Sequence, residues 1–544
     1  MAIQLKPSAF WFYLALLPVA AIAAPLGDSL LMSAVKGGDR AAIVALLKAA
    51  ADVNAAEPDG ATVLHWAVHK DDAATAELLI GAGADVNAQN EYGVTPLSLA
   101  CTNGSALVVK TLLEAGADPN ATLPTGETVL MTCSRSGSAE GAELLLARGA
   151  DVNAAQPEDG QTALMRAVAQ KHSRVAEVLL QHGAELNARS HGGFSPLLFA
   201  ARVGDVESAR VLLAAGADVN ERMPVAANAK APRDAYASNP APAEEPTKPP
   251  DAQPPLGSMT PLLMASASGH QELAIYLLEQ GADPNAIDEQ GAVALHYTVL
   301  KGIASMNGVS LANYVSYLFR PNLPELVKAL LEHGANPNSQ LLKGVPVAGR
   351  NGSDAAGATP FVLAAAASDP TIMRQLAEHG ADPLLTTADH RTAIMAAAGL
   401  GRVQDFTPEE EKDAIEAVRL AVELGSDVNA VNEMNRAALH GATNLGANSI
   451  IEYLASKGAR LDVRDKYQQT PLSIASGVHL PWTPKGDELG EVVRRKTADL
   501  LLKLGATPLD TPNYFTPPEE ETDVLRMNPR RTVRGTNVPE YGPQ

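Results

Sequence analysis

The string Gly-Ala-Asp-Val-Asn constrains this chain more than any other feature. It stands complete at Gly83, Gly149 and Gly216, and near variants start at Gly116, Gly183, Gly281, Gly334, Gly380, Gly425, Gly458 and Gly505. Ala50 takes the glycine place in the first copy. From Ala50 the steps are 33, 33, 33, 34 and 33 residues to Gly216, then 65, 53, 46, 45, 33 and 47 to Gly505. Twelve copies of a 33-residue period, with insertions, account for every step. A unit this short cannot enclose its own core. It leaves an apolar face for its neighbour to cover, so the units are predicted to stack in one dimension.

A second string holds a constant place in each unit. It reads Thr95-Pro96-Leu97-Ser98-Leu99-Ala100 and Thr260-Pro261-Leu262-Leu263-Met264-Ala265, with cognates at Ser195, Thr359 and Thr470. Thr62-Val63-Leu64-His65-Trp66-Ala67 carries a His at its fourth place. Thr or Ser before Pro starts a helix, because the hydroxyl caps it and Pro suits the first turn. A short first helix is predicted from Pro96 to about Asn103, broken by Gly104. A second helix follows, with Leu112-Leu113, Leu179-Leu180 and Leu277-Leu278, and Gly116 and its cognates end it in the left-handed region. Asp-Val-Asn and a later Gly such as Gly93 or Gly160 turn the chain into the next unit.

The two strings at this spacing resemble the ankyrin repeat, over about Asp28 to Asp510. The resemblance implies an all-α, curved ankyrin-repeat solenoid of about twelve helix-turn-helix units. It also implies that another protein is bound at the turn tips and the exposed face of the first helices. Repeats one to six are expected within 24–222 and repeats seven to twelve within 258–510.

Composition sets the limits on function. The formal net charge is -20, which repels nucleic-acid phosphates, so no nucleic-acid partner is expected. The aromatic share is 4%, which suits small, closely packed helices. Residues 1–23 read as a secretory signal, with Lys6 ahead of an apolar run from Ala9 to Ala24 and small residues at Ala21 and Ala23. Cleavage after Ala23 would deliver the chain to the periplasm or the outside of the cell, with no membrane insertion afterwards and as a monomer. The cysteines are Cys101 and Cys133 alone. Cys133 replaces the small Ala of its repeat and Cys101 lies one place further along its own; the helices are neighbours, so a bridge is conceivable in an oxidising compartment, but the offset points the side chains differently and favours free thiols.

The insertions are the most individual segments. Residues 223–257 hold nine Pro and read as an extended loop between repeats six and seven. Further excess lies near 302–322, 342–356, 399–412 and 478–492. The segment near 302–322 carries Tyr314, Tyr317 and Phe319, which either anchor a partner or tack the loop to its own repeat. Residues 511–544 lack the repeat and form a polar tail in which Glu519-Glu520-Glu521 precede Arg526, Arg530, Arg531 and Arg534.

No catalytic, nucleotide or metal motif is present, so no cofactor and no metal are expected. The recurring Asp85, Asp118, Asp151 and Asp218 fit turn chemistry. His65, His296 and His440 share one place in separate repeats and are expected to bond backbone rather than an ion. Tyr92, Phe194 and Arg135 are the stronger partner-binding candidates, on the expectation that turn tips face water, with His69, Lys70 and Arg202 beside them on the first helices. Trp66, Phe199 and Tyr297 are expected to be half-buried packing. The function predicted is a non-catalytic binding scaffold. The alternatives are an exported effector acting on a host protein, or an enzyme whose site is built from insertions, such as His390 with Glu409 to Glu411.

Overall fold

The structure, a computed structural model, describes residues 26–224, 258–289, 291–299, 323–342, 356–402, 405–478, 489 and 492–509. The described residues fall into two compact units, divided between Glu185 and Leu186. Both units are all-α stacks of helix pairs, and the described residues contain isolated β-bridges but no strand.

The first unit holds five pairs: Leu26–Gly37 with Arg40–Lys48, Val63–His69 with Ala73–Gly81, Pro96–Asn103 with Ala106–Glu114, Val129–Ser136 with Ala139–Ala147, and Ala163–Ala169 with Ser173–Gln181. The second unit opens with Pro196–Val203 and Val206–Ala214, then Pro261–Ser268 and Gln271–Glu279. Residues 294–299 pair with Pro324–Glu332, Pro360–Ala366 with Pro370–Glu378, and Ala393–Ala397 with Pro408–Glu423. Ala438–Leu445 with Asn448–Ser456, and Pro471–Ala475 with Arg495–Leu504, complete it. In each unit first helices pack on first helices and second on second.

The repeated residues form the elements for identifiable reasons. Thr95 Oγ1 accepts the Ser98 N–H at 3.1 Å, with Pro96 in the first turn, and Gly104 ends the helix at φ 71°. Leucines such as Leu64, Leu97, Leu112, Leu145 and Leu164 are fully or almost fully buried between neighbouring pairs. Where the fourth place of the string is His, Nδ1 accepts a backbone N–H, from Thr62 at 3.1 Å, Val293 at 3.0 Å or Ala437 at 3.0 Å. That leaves the ring proton on Nε2, which His65 donates to the Val94 carbonyl at 2.9 Å and His296 to the Ser339 carbonyl at 3.1 Å.

The Asp-Val-Asn string has a division of labour. Asp85 Oδ1 accepts the Asn87 N–H at 2.9 Å and tightens the turn. Asn87 then spans to the next repeat: its Nδ2 donates to the Gly116 carbonyl at 3.2 Å and its Oδ1 accepts the Asp118 N–H at 2.8 Å. The same two-bond rung recurs at Asn54, Asn120, Asn153, Asn220, Asn285, Asn338 and Asn429.

Three inserted segments meet the framework at defined points. In an ordinary tip Asn90 donates its N–H to the Val94 carbonyl at 3.1 Å. Met223 makes the same bond to Met259 at 2.9 Å, and Leu341 to Ala358 at 3.1 Å, so the intervening chain leaves from a tip. In repeat ten the segment near 399–412 is partly helical: Thr407 caps Pro408–Glu423 through a capping box with Glu410, lengthening the second helix to 16 residues. The segment near 302–322, residues 1–25, the tail and all but the ends of the segments near 223–257 and 342–356 lie outside the described residues.

The cysteine expectation is corrected. Cys101 and Cys133 form a disulfide, with their Cα atoms 4.4 Å apart. Their helices, Pro96–Asn103 and Val129–Ser136, pack directly on one another. The one-residue offset brings the two side chains together across that contact, and both are fully buried.

Candidate functional site

Tyr92 sits in the tip between the second and third repeats and is 68% exposed, an unusual state for a large ring in a chain this poor in aromatics. Its backbone is held rather than loose. The Tyr92 N–H donates to Asn90 Oδ1 at 3.0 Å, and the Glu91 N–H donates to the Asp59 carbonyl of the preceding tip at 2.8 Å. The next residue, Gly93, has φ 71°, and a Cβ there would meet Pro124 Cδ at 2.5 Å, so successive tips pack closely.

The first helices beside this tip carry cations. Trp66 is half-buried; its Nε1 donates to Glu57 Oε2 at 2.8 Å, and Lys36 Nζ lies 4.2 Å from its ring centroid while pairing with Glu57. Lys70 Nζ donates to the Lys36 carbonyl, and the His69 ring meets Trp66 edge-on at 5.6 Å. His69 and Lys70 are exposed. Arg135 is 45% exposed along its side chain, reaches Glu127 Oε1 at 3.4 Å, and accepts His172 Nε2 on its carbonyl at 3.1 Å. His69, Lys70, Tyr92 and Arg135 thus lie in consecutive repeats of one unit. The Lys36–Glu57–Trp66 cluster among them escapes a reading that treats Trp66 as packing alone.

In the second unit Arg202 is exposed at the end of its first helix. Phe194 is not, and the expectation that it faces water is overturned. It is 8% exposed, its ring lies 5.3 Å from Phe199, and the Arg202 guanidinium covers it at 5.3 Å. Phe199 is buried and Tyr297 half-buried, its hydroxyl donating to Asp288. Tyr314, Tyr317 and Phe319 lie outside the described residues. The tips of this unit expose Ile287, Leu342, Leu384 and Val431 instead. Leu384 was legible, since it stands where the string has Asn.

The titratable groups are spent on structure. Burial lowers the pKa of His65, and lowers those of His296 and His440 to about 4. Burial raises the Glu221 carboxyl, which holds Ser195 and lies 2.6 Å from Arg189 Nη2. Of the acids near repeat ten, Glu410 caps its helix and pairs with Arg402 at 2.8 Å, and Glu411 accepts Ser449 Oγ at 2.6 Å. His390 is exposed in a tip at φ 61°. Among the described residues no group of three or more His, Cys, Asp or Glu is placed to hold a metal ion, and no helix is long and apolar enough to cross a membrane.

Comparison with known proteins agrees with this geometry. A family model of three ankyrin-repeat copies matches residues 31–123, 70–156 and 130–223, and a single ankyrin-repeat model matches 258–289. The chain is 30% identical over 298 residues to the E3 ubiquitin-protein ligase KEG of Arabidopsis thaliana, covering 52% of this chain and 16% of that protein. It is 33% identical over 84 residues to the putative ankyrin repeat protein L271 of Acanthamoeba polyphaga mimivirus, 14% of this chain and 12% of that one. The chain therefore spans less than a fifth of either relative. The crystal structure of the ankyrin repeat domain of Bcl-3 is 31% identical, with a TM-score of 0.33, over 36% of this chain and 90% of that one. The recurring strings, the helix pairs they build and the matched family models together identify the chain as an ankyrin-repeat protein.

Proposed function

We propose that the protein is a non-catalytic scaffold that binds another protein through the tips and first-helix face of its first unit, in the periplasm or outside the cell. The exposed ring of Tyr92 carries the reading: a tethered tip holds it in water, with His69 and Lys70 at the end of the second repeat's first helix and Arg135 on the fourth's. Tyr and Arg together are the residue types that anchor protein interfaces. The secretory leader and the Cys101–Cys133 bond both support an oxidising compartment.

The test is crosslinking of the full-length, exported protein in its native cell. One recurrent protein should come down with the wild type and be lost from a Tyr92→Ala, Lys70→Ala, Arg135→Ala variant whose melting is unchanged. A partner retained by that variant assigns binding to another surface and ends this reading. Fractionation of the same cells reads the compartment.

A further inference from the structure

The turn between the two helices of repeat ten reaches beyond its own repeat. Its start lies on Ala438–Leu445, the first helix of repeat eleven. A Cβ on Gly441 would sit 2.5 Å from the Leu400 nitrogen and 3.0 Å from the Ala398 carbonyl oxygen, so the two backbones touch where only Gly fits. From the same helix Leu445 closes on Gly399, where a Cβ would overlap its Cδ1. Arg402 lies 4.4 Å from the Phe406 ring centroid and pairs with Glu410, which ties the turn to the start of Pro408–Glu423.

Arg494, from repeat twelve, fastens this turn. Its Nη1 donates to Asp405 Oδ2 at 3.0 Å and its Nη2 to Oδ1, across 89 residues of sequence. Its Nε donates to the Asn444 carbonyl of repeat eleven at 2.6 Å, and its backbone N–H to the Ala475 carbonyl of its own repeat at 2.7 Å. One residue thus joins repeats ten, eleven and twelve. Rungs hold inside this group as well. Asn429 spans ten to eleven, and Asp462 accepts the Thr507 N–H at 2.9 Å between eleven and twelve. Asn338 likewise ties repeat eight to repeat nine. Between nine and ten the rung is missing, because Leu384 stands in the asparagine place, 57% exposed. That junction keeps its helix packing, the Glu433 N–H on the Asp389 carbonyl at 2.9 Å, and the half-exposed Arg374–Glu416 pair.

We propose that repeats ten to twelve open and close as one block, clasped inside by Arg494 on Asp405 and parting from repeat nine at Leu384. A repeat stack divides where coupling between neighbours is weakest, and cooperative opening follows such divisions. A bidentate charge-assisted pair on a guanidinium that also holds a carbonyl is strong coupling. Two hydrogen bonds left out of a junction weaken it.

The experiment is hydrogen exchange of the full chain at rising urea below the unfolding transition. Residues 408–456 and 496–504 should share one opening, and 360–378 should open separately. Asp405→Asn keeps the other bonds of Arg494 and alters a half-exposed side chain. It should speed exchange in 496–504 by about tenfold and separate it from 438–456. Leu384→Asn should supply the rung and slow the shared opening about fivefold. Exchange in 496–504 that is already independent of 438–456, or that Asp405→Asn leaves unchanged, overturns the clasp. A shared opening that includes 360–378, or that Leu384→Asn does not slow, overturns the parting plane.

Discussion

The two deeply buried histidines set a pH limit on the second unit. Burial is the largest cause of the shift at both His296 and His440 and brings each to about 4, from an ordinary value of 6.5. Between those values the unfolded chain binds the proton and the folded chain does not. Stability is therefore complete above about 6.5 and falls as pH drops towards 4, by about 2 kcal/mol per histidine between pH 7 and 5. Urea midpoints of the full protein across that range should show the decline, and His296→Gln should roughly halve it. A midpoint constant from pH 7 to 5 would count against the neutral, Nε2-protonated rings. The fate of the two tip aromatics belongs to the same scale. Tyr92 precedes the tip glycine and Phe194 follows one, and the residue after that glycine is the one whose carbonyl the string's His reaches, as Val94 does. The difference was legible in the frame of the repeat. The Lys36–Glu57–Trp66 cluster was not, because it joins residues from separate repeats whose side-chain directions no periodicity specifies.

At the scale of the element, the asparagine rungs turn a local turn into a link between repeats. Asn120 both donates, to the Gly149 carbonyl at 3.0 Å, and accepts, from the Asp151 N–H at 2.8 Å. Asn120→Asp keeps the acceptor, loses the donor and sets a carboxylate against a carbonyl oxygen. The variant should lose about 1 kcal/mol, as should Asn120→Ala. Denaturant midpoints measure both, and an unchanged Asn120→Asp would show that only the accepting bond matters. Helix bounds were legible almost to the residue where cap and stop both stand in the string: Pro96–Asn103 is observed as predicted. They were less so in repeat ten. There Thr407-Pro408 followed by three Glu is itself a helix start, but it falls where the 33-residue frame has a turn.

The whole molecule ties stability to redox compartment at one place in its first unit. The Cys101–Cys133 bond closes a separation of 32 residues, worth about 3 to 4 kcal/mol by chain entropy. It staples the first helices of the third and fourth repeats. Arg135 lies on the second of these helices and Tyr92 in the tip that leads into the first, so the proposed partner surface rests on the stapled pair. Repeat stacks transmit stability mainly to adjacent units. Reduction under mild denaturant should therefore speed hydrogen exchange across 95–149 far more than across 360–456, and Cys101→Ala with Cys133→Ala should do so without reductant. Thiol labelling of the protein from its native cell should find no free cysteine until it is unfolded and reduced. If two thiols label after unfolding alone, the staple is not formed in the cell. The partner surface must then be held by packing and the asparagine rungs, and the argument from the disulfide to an oxidising compartment falls with it.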